Sequence, residues 1–174
     1  LRSSTTVVYL TESKLDELLT FKNKPVITGN TFSLITSPEC FNDCKQKRIL
    51  EDNEVGELFG HVLNRRFESG DFAIVYLDQQ LIPLSYVFIC TRQAVFTPVG
   101  ITLSLPKGIF GMYDVYTFSE ARGKGYYADL FYYSIDLMMQ RGFRKMWLWL
   151  MKHNSVSVDV HYKLGIRKIN KILT

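Results

Sequence analysis

The stretch from Ile109 to Gln140 constrains the fold more than any other part of the chain. Ile109 to Phe118 is rich in aromatic and apolar residues and reads as a strand. Arg122-Gly123-Lys124-Gly125 then opens a helix that runs to about Gln140. A strand that turns through glycines into a helix N-terminus is an anion site in outline. The first helical N–H groups have no intrahelical partner. The helix dipole places partial positive charge there. Glycine lets a diphosphate approach the backbone with no Cβ in the way. Arg122 and Lys124 add positive charge. Each contribution is worth roughly 0.3–2 kcal/mol, so several have to act together. Read alone, the turn is either a diphosphate cradle or a solvated basic loop.

Two other phosphate motifs do not fit. A Walker A loop needs four residues between its first Gly and Gly-Lys-Ser/Thr, and this turn is shorter. The dinucleotide fingerprint needs three glycines and an acid about twenty residues further on. Gly123 and Gly125 supply two, Ala128 would have to serve as the third, and the next strand ends in Met151-Lys152-His153.

The rest of the chain alternates strands and helices. Thr5–Leu10 reads as a strand, followed by a helix over Ser13–Thr20 capped by Thr11 or Ser13. Pro25 and Gly29 interrupt the pattern, and Thr31–Thr36 reads as a strand. Ser37–Asn53 is polar, with no readable period. Glu54–Phe67 has helical spacing of apolar residues and ends at Ser69-Gly70. Phe72–Leu77 and Leu81–Thr91 form a hairpin about Asp78-Gln79-Gln80. A further strand or hairpin fills Ala94–Leu105, with turns at Thr97-Pro98 and Pro106-Lys107-Gly108. In the helix after the glycine turn, Asp129, Tyr133, Asp136 and Gln140 share one face, expected exposed. Tyr127, Leu130, Phe131, Ser134, Leu137 and Met138 are expected to face the core. Gly142 stops this helix. Lys145–Leu150 is an aromatic-rich strand, Ser155–Leu164 a short helix stopped by Gly165, and Ile166–Leu173 a last strand.

Length and composition set the outer limits. At 174 residues with 47% hydrophobic and 22% charged residues, the chain is expected to be one soluble globular domain, or one domain with an appendage, and not a disordered or low-complexity chain. The net charge of +4 permits a phosphate-bearing ligand but lacks the strongly basic stripe of a nucleic-acid binder. Aromatic residues reach 14%, and rings in excess of core positions point to a lined pocket. Cys40, Cys44 and Cys90 are too few, and odd in number, for a disulfide framework, and His61, His153 and His161 are too scattered to close a zinc site. Reduced thiols and a cytoplasmic location follow as expectations. No apolar run approaches the roughly 18 residues of a membrane span. Leu81–Cys90 is broken by Pro83 and Ser85. The opening Leu1-Arg2-Ser3 has no apolar signal core, and a start without Met is read as lying inside the gene product.

Arg122-Gly123-Lys124-Gly125-Tyr126-Tyr127, Gly142-Phe143, Asn154 and Tyr162-Lys163-Leu164-Gly165-Ile166 together resemble the GCN5-related N-acetyltransferase (GNAT) family. The family pattern is Arg/Gln-x-x-Gly-x-Gly/Ala at a helix start, an Asn after the next strand, and Tyr-x-x-Gly-Phe closing the following helix. Arg122 and Gly125 match its first two key positions, and Asn154 and Tyr162 match in type and spacing. The resemblance covers roughly the last sixty residues; upstream only the order of elements agrees. Tyr127 stands where the pattern has a small residue, so its side chain has to leave the cradle. Ile166 replaces the usual Phe. The family usually ends with two strands after the Tyr helix, and only one is visible, so either the C-terminus is incomplete or another element fills that edge.

The resemblance implies an α/β (α+β) fold with a mixed, mostly antiparallel sheet, splayed at the cofactor strand and with helices on both faces. It implies a single domain over 1–174, with 1–111 on the acceptor side and 112–174 binding acyl-CoA. The co-substrate would be acetyl-CoA or another acyl-CoA, with no metal. Its pyrophosphate would rest on Arg122, Gly123, Lys124, Gly125, Tyr126 and Tyr127. The pantetheine arm would pair with backbone at Tyr116 and Thr117, and with Asn154, in the V between this strand and Lys145–Leu150. An N–H near Thr117 or Phe118 would polarise the thioester carbonyl. Tyr162 would protonate the departing thiolate, which suits a phenol of pKa about 10 facing a thiol of about 8.5. The other readings are a packing role for Tyr162 and a helix cap for Asn154.

Asp114, on the cofactor strand, is the best-placed general base, against a surface or structural role; Glu120 and His61 rank below it. The leading function is therefore acetyl transfer to the amine of a small molecule, with the acceptor chosen by Phe41–Phe67 and Ala94–Gly111. The alternatives are protein N-acetylation and a non-catalytic acyl-CoA-binding domain. A nucleic-acid module would rest on Arg141, Arg144, Lys145, Lys152, Arg167, Lys168 and Lys171, more simply read as a solvated face. Expected partners are the small-molecule amine, with no nucleic acid or membrane, and an open sheet edge leaves room for a homodimer.

Overall fold

The computed structural model describes residues 7–22, 29–52, 58–96, 100–167 and 170–173. The chain forms two compact units. One holds Pro25–Cys90 and Asp114–Ser134; the other holds Leu1–Lys24, Thr91–Tyr113 and Ile135–Thr174. Each unit draws on both 1–111 and 112–174.

In the first unit, β2 (Thr31–Ile35), β3 (Phe72–Leu77) and β4 (Pro83–Cys90) form antiparallel ladders, followed in the strand order by β7 (Ile109–Thr117). β4 is buried along its whole length and β3 to all but its last residue, which is why both read as continuous apolar runs. Their register fixes two faces. Tyr86 and Phe88 share a face with Val75 and Ala73, and α2 (Asn42–Glu51) and α3 (Leu58–Glu68) cover it. The Phe41 ring lies 5.1 Å from Tyr86 and 5.2 Å from Phe88, and Phe67 lies 5.6 Å from Phe88. On the opposite face Phe32 is stacked between Tyr76 at 4.4 Å and Tyr133 at 3.9 Å. Tyr133 belongs to α4 (Tyr126–Gln140), so helices flank both faces of this part of the sheet.

In the second unit the strand order is β7, β8 (Lys145–Met151), β1 (Val7–Lys14), β9 (Asn170–Leu173). β7 and β8 are parallel, with registered pairs from Ile109/Lys145 to Met112/Leu148. β1 is antiparallel to both β8 and β9. β1 thus lies between β8 and β9 in the sheet. β8 alternates cleanly, with Met146, Leu148 and Leu150 buried and the residues between them half-buried. α5 (Ser155–Lys163) follows β8, and β5 (Gln93–Phe96) pairs with β6 (Ile101–Ser104) in a separate hairpin. Gly165, just past α5, has φ +103, and a Cβ there would stand 2.6 Å from the Phe21 ring. Only glycine meets both conditions.

Several expectations need correction. The helix expected over Ser13–Thr20 is shorter: β1 continues to Lys14 and α1 is Leu15–Leu19. Thr11 and Ser13 pair with Leu148 and Met146 instead of capping, because eight residues of ladder outweigh one cap bond. The unread polar stretch contains α2, whose buried anchors are only Phe41 and Cys44. Strand β4 starts at Pro83, since Leu81 takes φ +62 in a turn where Asp78 Oδ1 accepts from the amides of Gln80 and Ile82. On α4 the polar face is not solvated throughout: Tyr133 stacks on Phe32 and Asp136 pairs with Lys22 at 2.9 Å. Tyr132 and Ile135 join the buried face, while Leu137 is half-buried. The expected strand at Thr5–Thr6, the Pro25 break, residues 54–57, the Thr97-Pro98 turn, and Lys168 lie outside the described residues. No helix among the described residues is long and apolar enough to cross a membrane.

Candidate active site

In the first unit β7 ends at Thr117, Phe118 is buried, and a 3-10 turn covers Ser119–Ala121. Gly123 and Gly125 follow with φ +72 and +83 and lead into α4. Arg122, Gly123, Lys124 and Gly125 are exposed, and Tyr126 and Tyr127 half-buried. A Cβ added at Gly123 or Gly125 would meet nothing within 4 Å, so these glycines serve backbone shape and leave open space above it. Among the described residues, the amides of Gly123, Lys124 and Gly125 take no part in the flanking turn and cap bonds. The Tyr127 ring contacts Phe131 at a centroid distance of 6.1 Å, and burial pushes its phenol well above the ordinary range. The side chain thus turns inward from the cradle, as its bulk demands.

The end of β7 has two edges. The Phe118 amide donates to Leu84 O at 3.1 Å, and Ser85 Oγ donates to Tyr116 O at 2.9 Å. Along a strand, backbone groups alternate sides, so Tyr116 and Phe118 spend theirs on β4. Thr117 directs its N–H and C=O the other way. Of the two amides proposed to polarise a carbonyl, Phe118 is already committed and Thr117 is left.

Arg122 is not a free cation. Its Nε donates to Thr117 O at 3.0 Å and its Nη2 to Tyr116 Oη at 3.1 Å. Tyr116 also lies under Arg48, whose guanidinium sits 3.6 Å from the ring centroid. Burial, and the hydrogen bond to Glu51, raise the Tyr116 phenol above its ordinary pKa. Asp114 takes φ +44 and forms an ion pair with Arg66 of α3, which also lies over the Phe88 ring. The carboxylate is held between β7 and α3, with a side-chain exposure of 24%. Glu120 is paired with Lys47, and that hydrogen bond lowers its carboxyl to about 2. His61 is exposed on α3.

The other two predicted residues lie in the second unit, on and before α5. Asn154 caps the helix, with Oδ1 accepting from Ser157 N at 3.1 Å. Tyr162 is 57% exposed, which excludes the buried packing role. Its ring lies 4.2 Å from the Arg167 guanidinium. A cleft of about 740 Å³ in this unit, lined by Glu12, Lys14, Phe21, Trp147 and Arg167 among others, contains none of the residues predicted for catalysis or acyl-CoA binding. Its charges are largely spent: Glu12 accepts from Lys145 at 2.7 Å and from Trp147 at 2.9 Å, and Lys14 pairs with Glu17. The described residues contain no cluster of His, Cys, Asp or Glu able to hold a metal.

Sequence reasoning missed Arg48, Glu51 and Arg66. All three reach β7 or the following turn from α2 and α3. Their contacts span 48 to 68 residues of sequence, and no local pattern announces them.

Comparison with known proteins agrees with this architecture. The structure is similar to a conserved protein of unknown function from Staphylococcus epidermidis, with TM-score 0.65 and 12% identity over 98% of this chain and 61% of that one. A tandem GNAT protein from the clavulanic acid biosynthesis pathway matches with TM-score 0.64 and 14% identity, over 99% of this chain and 53% of that one. An aminoglycoside antibiotic 6'-N-acetyltransferase from Acinetobacter baumannii matches with TM-score 0.62 and 11% identity, over 83% of this chain and 95% of that one. The chain thus spans little more than half the length of the first two. No curated protein matches the sequence. The profile described as the acetyltransferase (GNAT) family matches residues 39–166, most of the chain, and the protein therefore belongs to the GNAT acetyltransferase family.

Proposed function

We propose that the chain is an acyl-CoA-dependent N-acyltransferase that moves acetyl from acetyl-CoA to the amine of a small molecule by direct attack. The observation that carries this reading is the outward-facing Thr117 backbone directly ahead of an open, exposed glycine turn. The fit is chemical. Amides at a helix start with no Cβ above Gly123 and Gly125 suit a diphosphate. The Thr117 C=O has a second lone pair beyond its bond from Arg122 Nε, which suits an N–H of a pantetheine arm, and its N–H suits the thioester carbonyl. Acyl-CoA supplies an activated thioester, and the chain's groups do the rest.

Thr117 N–H stabilises the oxyanion formed as the amine nitrogen attacks the carbonyl carbon. Asp114 takes the amine's proton, directly or through water, with Arg66 fixing the carboxylate. Tyr162 Oη gives its proton to the sulfur as the C–S bond breaks. Asn154 holds the arm with its side-chain amide while its Oδ1 keeps the helix cap. A sparse and odd number of cysteines suits a reducing, cytoplasmic setting.

The test is thiol release from acetyl-CoA by the full chain, followed with a thiol-reactive dye against amino sugars, amino acids, polyamines and lysine peptides. Release dependent on one small-amine class supports the reading. Release only with peptides favours protein acetylation. Release no faster than hydrolysis with every acceptor and acyl chain contradicts the activity.

A further inference from the structure

Resting on the acyl-CoA reading above, we propose that Glu51 of α2 is a positioning residue for the acyl donor. Glu51 is the last residue of α2, and only 16% of its side chain is exposed. Its carboxylate accepts four hydrogen bonds from the end of β7 and the turn that follows it. Tyr116 Oη donates to Oε2 at 2.8 Å. Ser119 N donates to Oε1 and Oε2 at 3.0 and 3.1 Å. Ser119 Oγ donates to Oε1 at 2.9 Å.

These donors sit on both sides of Phe118. Tyr116 is the last residue but one of the strand expected to meet the pantetheine arm, and Ser119 opens the 3-10 turn that leads to the cradle. The turn begins at Phe118 with no side-chain cap of its own, so Glu51 caps it from another helix. The chain of bonds continues outward. Tyr116 Oη accepts from Arg122 Nη2, and Arg122 Nε donates to Thr117 O, so one carboxylate sets both the strand end and the first residue of the cradle motif. The same turn of α2 adds Lys47, paired with Glu120, and Arg48, lying over Tyr116. Hydrogen bonds to an ionised carboxylate are the stronger kind, and a half-buried one is not readily replaced by water.

The consequence is functional. α2 comes from the segment expected to choose the acceptor, yet its last carboxylate holds the loop expected to take the diphosphate. Glu51 touches no reacting atom in this account; it acts through Tyr116, Ser119 and Arg122.

The test is calorimetric titration of the full chain with CoA, followed by acetyl-CoA kinetics once an acceptor is known. In Glu51→Gln the Kd for CoA is expected to rise roughly ten-fold or more. KM for acetyl-CoA should rise in step while kcat changes less than about three-fold, a split that loss of folded protein does not produce. Glu51→Asp, which keeps the charge, should fall between. Tyr116→Phe removes the hydroxyl that joins Glu51 to Arg122 and keeps the ring, so it reads the same link if Glu51→Gln fails to fold. A wild-type Kd in folded Glu51→Gln, or in Tyr116→Phe, overturns the role of Glu51 and leaves the acyl-CoA reading standing. Absence of CoA binding by the wild-type chain overturns both.

Discussion

Tyr162 and His161 are neighbours on α5 with opposite fates. Tyr162 points outward, whereas His161 is 2% exposed, with Nδ1 2.7 Å from Ser157 O. If Tyr162 delivers a proton to the leaving sulfur, Tyr162→Phe should lower kcat at least about ten-fold with little change in the KM for acetyl-CoA. An unchanged kcat removes it from the mechanism. Burial lowers the His161 imidazole from 6.5 to about 4. Between these values the unfolded chain binds the extra proton, so stability falls as pH drops from about 6.5 toward 4, by an amount of order 3 kcal/mol. Melting temperatures of wild type and His161→Gln at pH 7.5 and 4.5 should show a smaller acid loss in the variant. An equal loss would place the acid sensitivity elsewhere. Thr11 offers a third check. Its side chain is fully buried in β1, and among the described residues its hydroxyl has no hydrogen-bond partner. Thr11→Val should leave stability unchanged or raise it by about 1 kcal/mol, read by denaturant midpoint.

At the scale of elements, the two kinds of glycine behave differently. Gly165→Ala combines a left-handed φ with a close approach to Phe21, so it should cost about 2 kcal/mol or more of stability. Gly125→Ala meets only the backbone penalty of about 1–2 kcal/mol, but it places a methyl where a diphosphate would lie. Its distinguishing effect should be weaker CoA binding in a protein that still folds. Phe41→Ala, at the ring cluster between α2 and β4, should cost about 3–5 kcal/mol by chemical denaturation. The same contrast explains what could be read from sequence. β3, β4, β7, α4 and β8 carry their apolar run or period within one element, so their positions were legible. α2 was not, because its surface is polar and its two buried anchors acquire meaning only against Tyr86 and Phe88. Likewise the glycine turn, Asn154 and Tyr162 announce themselves locally. The Phe118 amide, the Asp114–Arg66 pair and Glu51 depend on which strand or helix lies alongside, and that is a property of the fold.

For the whole molecule, the chain belongs to the GNAT acetyltransferase family, and the residues read from sequence fall in both units. The unit containing the glycine turn also contains α2, α3 and the outward edge of β7; the other contains α5 with Asn154 and Tyr162. The surplus aromatic residues have a structural use that the sequence did not announce: Phe41, Phe67, Tyr86 and Phe88 pack one side of β4, and Phe32 joins Tyr76 to Tyr133 on the other. The modest basic excess is also less free than it looked, since Arg48, Arg66 and Arg122 are engaged by Asp52, Asp114 and the end of β7. Lys124 remains on the surface beside the glycines. The central claim is that this turn and strand end hold an acyl-CoA. Thermal unfolding of the full chain with acetyl-CoA, CoA and longer acyl-CoAs tests it most directly. Ligand at 100-fold over Kd should add about 2.7 kcal/mol and a matching rise in Tm. No rise with any acyl-CoA at millimolar concentration would contradict it.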